Sequence, residues 1–395
     1  MVKINAFLMS VAALPLLFVL LTIPPSATEN DEPTVVKSER LDFVVDTLVA
    51  SDEIRTPWGL AFLPNNDILV TDRGGALYLF KSGKLHAISG VPAVRAKGQG
   101  GLLDIELHPN YEQNGWIYMT YSKPLEGGDL ATTALARAKL KDLQLVEVEE
   151  LFEAKPAVKQ AHHYGSKIVF DKKGYVYFTM GDRGEQDNAQ LLSNHRGKVF
   201  RLHDDGSVPK TNPFVRIEGA LPEIFSYGHR NPQGLAIHPE TDELWETEHG
   251  PKGGDELNLV QAGRNYGWPE ITYGINYNGT IITEETVREG LQQPVMYWLP
   301  SIGPCGLTFV SSDRYPKWKG DLLAGSLAFR YIERVDLEAG RVIHKEKLLE
   351  GLGRIRDISE GRDGYLYVAV EGNPGMIVRL VPAGEMSADM GMGKE

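Results

Sequence analysis

The sequence predicts an all-β fold, a six-bladed β-propeller, and three observations carry that reading. Six segments recur in which an alternating apolar run, a short turn rich in Gly, Pro, Asp or Asn, and a second such run follow one another as in a hairpin. Beyond the first thirty residues, no sustained apolar period of 3.6 residues competes with them. The hairpins are spaced by roughly 40–70 residues, the rhythm of a repeated unit rather than of separate domains. A lone hairpin cannot bury both faces, whereas six arranged radially bury them against one another and leave few open edges. A pair of β-sandwiches is the rival arrangement.

Taken in order, the chain opens with "MVKINAFLMSVAALPLLFVLLTIPPSATEN": one early Lys, an apolar run from Ala6 to Ile23, then Pro, Ser and acidic residues. That layout is a secretory signal peptide over residues 1–27, with an uncleaved N-terminal anchor as the alternative, since Pro25 sits where cleavage prefers a small residue. Cys305 is the single cysteine, so no intramolecular disulfide forms, and export without disulfides fits a bacterial periplasm. The propeller is expected over residues 40–382, with "GEMSADMGMGKE" at the end of a frayed tail over 383–395. With 395 residues, 42% of them apolar, and aromatic and charged fractions of 9% and 24%, a large core is available and wholesale disorder is excluded. The net charge of −12, with no basic stripe, excludes a nucleic-acid partner. No second apolar segment long enough to span a bilayer follows the first.

The hairpins are "WGLAFLPNNDILVTDRGG", "GLLDIELHPNYEQNGWIYMTY", "GSKIVFDKKGYVYFTMGDRG", "QGLAIHPETDELWETEHG", "GLTFVSSDRYPKWKGDLLAGSL" and "IRDISEGRDGYLYVAVEG". Polar residues gather in the loops beside them. Gln99 in "KGQGG" precedes the second hairpin, and His162 and His163 in "AHHYGSK" precede the third. Asp182 follows a strand in "MGDRG", "GHRNPQG" precedes the fourth hairpin, and "TEHGPKGGDELN" follows its second strand. Arg354 and Arg356 open the last hairpin, where alternation puts both on one face. Loops at equivalent strand ends of a propeller converge on the mouth of the central channel, so residues far apart in sequence can meet there.

Each signal has a bland reading. A His pair beside Gly is commonly a hydrogen-bonded turn, Asp beside Gly an Asx-turn, and paired strand arginines a solvated face. The joint placement is what points to chemistry. Arg230, Arg354 and Arg356 with Gln99 and Asn231 make a cationic, donor-rich set suited to a planar polyanion, because guanidinium pairs carboxylates bidentately. A neutral His supplies a general base. Backbone carbonyls near Gly250 and Pro251, with Glu256, suit a hard cation such as Ca2+. Such a set fits an oxidoreductase that holds an acidic quinone.

From "TPWGLAF" to "GYLYVAVEG", and most specifically in "GHRNPQGLA", "EHGPKGGDELN" and "NYGWP", the sequence resembles the soluble pyrroloquinoline-quinone (PQQ) dependent sugar dehydrogenases, with the periplasmic aldose sugar dehydrogenases the nearer branch. The resemblance implies a six-bladed propeller with PQQ and Ca2+ at the top of the channel, oxidising aldose sugars at C1 to lactones. It implies His163 as the base that takes the C1 hydroxyl proton and Gln99 as a cofactor contact. Arg230 and Asn231 would face the reactive quinone oxygens, while Arg354 and Arg356 hold the cofactor's carboxylate side. Asp182 would be a substrate-side acid, Gly250 and Pro251 carbonyl ligands of the Ca2+ at the quinone, and Glu256 and Tyr266 ligands of a further Ca2+. Ser301 stands where a cofactor-contacting Thr is usual. Ala328 in "AGSLAFRY" stands where the family has a cofactor-contacting Lys, with Arg330 the substitute the sequence offers. The implied partners are a small-molecule sugar and an electron acceptor, a quinone or a cytochrome. Two other readings are a non-catalytic propeller that binds carbohydrate or protein, and a calcium-dependent hydrolase of the lactonase type, which needs carboxylates or amides converging on one metal in the channel.

Overall fold

The computed structural model describes residues 34–385; the expected signal segment and the last ten residues of the tail lie outside them. Six antiparallel sheets follow one another along the chain. The first blade runs from Pro57–Phe62 to Lys84–Ile88, the second from Leu102–Leu107 to Gln144–Glu153, and the third from Ile168–Phe170 to Ile224–Tyr227. The fourth runs from Pro232–Ile237 to Met296–Trp298 and the fifth from Pro304–Phe309 to Arg341–Leu348. The sixth takes Arg354–Glu360, Leu366–Glu371 and Gly375–Pro382 from the end of the chain and is completed by Phe43–Ser51 and Val35–Val36 from its beginning. Phe43 pairs with Pro382 and Ser51 with Gly375, and the Arg379 guanidinium holds Asp46 at 2.8 Å across the seam. The protein is a six-bladed β-propeller, and the six hairpins of the sequence are the two inner strands of its six blades.

The hydrophobic core is divided among the seams. Leu69 and Leu77 meet Ile105 and Met119 between the first two blades, and Phe178 and Phe200 meet Tyr118 and Leu135 at the next. Val199 and Phe225 meet Leu235 and Leu244 between blades three and four, and Trp245 and Leu257 meet Leu322 and Val335 at the next. Ile332 and Leu323 meet Ile355 and Val368 before the ring closes through Ala369 and Ile377 against Leu60 and Val70. Each alternating strand therefore gives one face to each neighbour, which is why the strands read as almost wholly buried.

The first strand of every blade lines the channel, and all six run in the same sense. The motif-bearing loops precede these strands or follow the second strand of a blade, and so share one end; the opposite ends surround a separate cavity of about 510 Å3. Between the two ends Lys167 Nζ lies 2.8 Å from Asp104 Oδ1 and 2.9 Å from Asp357 Oδ1. The outer oxygens of those carboxylates accept the Ile168 and Leu60 amides, so four blades are tied across the axis. In five blades a β-bulge interrupts pairing near the start of the first strand, for example between Pro57 and Gly59, Pro232 and Gly234, and Ile355 and Asp357. The bulged residues there are Trp58, Gln233 and Arg356, and a bulge re-aims its side chain. Simple alternation of Arg354 and Arg356 is thus broken.

Candidate active site

Three loops meet at Gly181. A Cβ at that position would lie 2.6 Å from the His163 carbonyl oxygen, 2.8 Å from that of Arg230 and 2.9 Å from Asn231 Oδ1, so only glycine lets the third-blade and fourth-blade loops close on each other. His163 itself sits at φ 54, a left-handed conformation uncommon outside glycine, and its amide donates to Gln99 Oε1 at 2.7 Å. The loop before the second blade thereby fixes the histidine before the third.

The imidazole is oriented from behind. Its Nδ1 lies 2.6 Å from Asp182 Oδ1, which also accepts the Gly184 amide at 2.7 Å, while Asp182 Oδ2 accepts Trp268 Nε1–H at 2.8 Å. A carboxylate surrounded by donors selects the tautomer with the proton on Nδ1, leaving the Nε2 lone pair free. Burial holds the His163 pKa below the ordinary imidazole value against the pull of Asp182, so the ring is neutral. Burial would raise Asp182, but the hydrogen bond from His163 and the Arg230 charge outweigh it and keep the carboxyl ionised. Asp182, expected on the substrate side, borders the same cleft as His163 but is 1% exposed, with both oxygens committed to donors. Trp268, to which the sequence assigned no role, completes that support.

His163 opens on a cleft of about 360 Å3, bordered also by His162, Arg230, Trp268 and Tyr277. A second compartment of about 340 Å3 is lined by Arg73, Arg354, Arg356, Gln233, His249 and Ala328, and Gln99 borders both. In it Arg356 is buried, bonded to Glu371 through Nε at 2.6 Å and Nη2 at 2.5 Å, and lies over the Trp58 ring. Arg354 is more open, 3.4 Å from the same carboxylate. Burial drives His249 down to about 3, and as a neutral ring its Nε2 lies 2.8 Å from the Pro304 carbonyl. Arg330 is elsewhere: it lines a neighbouring cavity with Arg55. Ser301 donates to the Pro251 carbonyl at 3.3 Å and does not border either compartment.

Arg230 and Asn231 are both buried at the base of the site. Arg230 Nη1 donates to the carbonyls of His249 (3.0 Å) and Gly250 (2.6 Å), and its guanidinium lies 5.3 Å from the Trp268 ring centroid. Arg230 Nε and Asn231 Nδ2 are buried donors with no partner among the described residues. A cation on the Gly250 carbonyl would therefore share that oxygen with a guanidinium. Gly250, Glu256 and Tyr266 nevertheless border one small cavity of about 10 Å3 together with Glu248, room on the scale of a single water or ion. The Tyr266 hydroxyl is already committed to Leu259 and Gln261, so only its ring and backbone remain for that cavity.

His229, the most catalyst-like residue of "GHRN" by type, is fully buried away from both compartments. It lies 3.4 Å from Glu246 and from Glu248, bonds Ser226 and stacks on Tyr266. Although burial opposes it, the two carboxylates raise its pKa to about 9. Glu246 and Glu248 complete with it a buried carboxylate–histidine cluster that the sequence pattern did not single out.

The Glucose / Sorbosone dehydrogenase profile matches residues 54–379, from ahead of the first blade into the last strand of the sixth. The chain belongs to the glucose/sorbosone dehydrogenase family. Within that family it is 41% identical over 346 residues to aldose sugar dehydrogenase YliI of Escherichia coli (strain K12), covering 86% of this chain and 93% of that one. It is 31% identical over 256 residues to quinoprotein glucose dehydrogenase B of Acinetobacter calcoaceticus, covering 57% and 52%. The apo-form structure of the soluble Escherichia coli aldose sugar dehydrogenase superposes with a TM-score of 0.81 at 39% identity, over 86% of this chain and 99% of that one. The PQQ-bound aldose sugar dehydrogenase of Streptomyces coelicolor gives 0.70 at 27%, over 86% and 98%. Among the described residues no helix is long and apolar enough to cross a membrane.

Proposed function

We propose that this member of the glucose/sorbosone dehydrogenase family is an exported, PQQ- and Ca2+-dependent dehydrogenase that oxidises aldoses at C1 to lactones. The observation that carries the reading is the His163–Asp182 pair opening on a cleft that adjoins an arginine-lined compartment. A planar polyanionic quinone fits this chain: Arg354 and Arg356 share one carboxylate, and the orphaned Arg230 Nε and Asn231 Nδ2 are buried donors in want of an acceptor. A hard cation fits the buried Glu248 and half-buried Glu256 carboxylates best, and bound there it would offset their charge. When bound, PQQ supplies the two-electron acceptor for the hydride that leaves the sugar C1.

The chain's own residues do the rest. His163 Nε2 takes the proton of the C1 hydroxyl as the C1–H bond breaks, giving the lactone carbonyl. Asp182 stabilises the imidazolium that forms, and Trp268 keeps Asp182 in place. Arg354 and Arg356 orient the carboxylate side of the cofactor. Against the hydrolase reading, the two channel carboxylates Asp104 and Asp357 are both held by Lys167 rather than turned toward a common metal.

Purified protein supplied with PQQ and Ca2+ is expected to reduce a dye acceptor on addition of glucose or another aldose. His163→Gln is expected to abolish turnover while leaving PQQ binding nearly intact. Silence across a panel of sugars, with no PQQ absorbance change on titration, would replace this reading with that of a binding module.

A further inference from the structure

Arg73 follows the second strand of the first blade in "VTDRGG" and lines the arginine-lined compartment that Ala328 also borders. It is half-buried, yet its guanidinium has no hydrogen-bond or ion-pair partner among the described residues. The adjacent Asp72 carboxylate is spent on the amides of Thr56 (2.8 Å) and Gly74 (2.7 Å). Glu371, the carboxylate that borders the compartment, is engaged by Arg356 and Arg354. Three guanidinium groups therefore face one space with one carboxylate among them. Burial, followed by the nearby Arg356 charge, lowers the Arg73 pKa, so the group is held where its charge is disfavoured until an anion arrives.

The placement is built in. The Arg73 amide donates to the Thr56 carbonyl at 3.0 Å. A Cβ at Gly101 would lie 1.7 Å from the Arg73 carbonyl oxygen and 2.8 Å from its Cγ, so glycine there lets the second-blade loop close on the backbone and side-chain base of Arg73. Arg330, the substitute offered by the sequence, stands at φ 60 and lines the adjoining cavity instead.

We infer that Arg73 is the third cationic hold on the cofactor's carboxylate side, filling the role that Ala328 leaves open. The inference rests on the PQQ reading given above. It is tested by titrating the full apoprotein with PQQ at fixed Ca2+, without sugar, and following tryptophan fluorescence. Arg73→Leu is expected to weaken binding roughly ten- to a hundredfold, the range of a lost charge-assisted hydrogen bond, and Arg73→Lys to retain most of the affinity. Ala328→Lys introduced into Arg73→Leu restores affinity by about tenfold, which separates lost charge from lost fold. Arg330→Ala changes it by less than about twofold, as for an exposed charge. Wild-type affinity in Arg73→Leu, or an equal loss in Arg330→Ala, overturns the inference while leaving the cofactor reading in place. If the wild-type protein binds no PQQ, the cofactor reading fails and the inference falls with it.

Discussion

Asp182→Asn is the sharpest probe of the candidate site, because it changes one atom of a carboxylate whose every neighbour is a donor. His163 Nδ1 and the Gly184 amide lie 2.6 and 2.7 Å from one oxygen, and Trp268 Nε1 lies 2.8 Å from the other. An asparagine has a single oxygen, so one side must present NH2 to a donor. Facing Trp268, the amide leaves a buried N–H unsatisfied, at a cost of about 1–3 kcal/mol. Facing His163, it selects the opposite tautomer, with the proton on Nε2, and a nitrogen that already carries a proton cannot take one from the sugar. Loss of a positioned general base lowers kcat by about a hundred- to ten-thousandfold. Asp182 also raises the His163 pKa against the burial that depresses it, so its removal weakens the base further. The assay is steady-state dye reduction at saturating PQQ, with a parallel PQQ titration in which affinity is expected to change little. A kcat within threefold of wild type would refute the orienting role and return Asp182 to the substrate side.

The pH profile offers a second check. Burial sets the His163 pKa below its usual value of about 6.5, so the base stays neutral as pH falls through that value, and the acid limb of kcat/KM is expected below pH 6.5; a half-maximal point above it would contradict the buried, neutral ring. Lys167→Met probes the channel axis. It leaves the Asp104 and Asp357 carboxylates facing each other without their cation, and urea unfolding is expected to show a loss of about 3–5 kcal/mol. A loss below about 1 kcal/mol would mean that the buried pair contributes little beyond what Asp104, whose pKa burial pushes up to about 6, recovers by taking a proton.

The inner hairpins were legible because both of their faces are buried between blades, which leaves strong apolar patterns and sharp turns. The outer strands were not. Gln144–Glu153 and Lys84–Ile88 carry mainly exposed or half-exposed residues, and nothing in their pattern separates them from loops. Nor does any local signal say that Phe43–Ser51 joins the last blade, since that pairing is a property of the closed ring. At the site, the sequence grouped loops that line two adjoining compartments but could not rank depth. Asp182 and His163 sit in adjacent motifs of like polarity, and only the fold puts one behind the other. Arg73 does carry a local signal: "DRGG" at the end of the first hairpin repeats "DRG" at the end of the third. Asp72 and Asp182 accept the amides of Gly74 and Gly184 alike, each at 2.7 Å. The following arginines then diverge, with Arg73 facing the compartment and Arg183 buried over the Tyr164 ring at 3.4 Å.

The seam in the sixth blade also sets a timetable. Asp46 and Arg379, which face each other across it, are 333 residues apart. Bringing such distant segments together costs about 5 kcal/mol of chain entropy before any contact rewards it. Five blades can form from neighbouring stretches as they become available, but the circle has no final partner strand until synthesis has passed the last of them. Completion of the ring is therefore dominated by a highly non-local pairing and correspondingly slow.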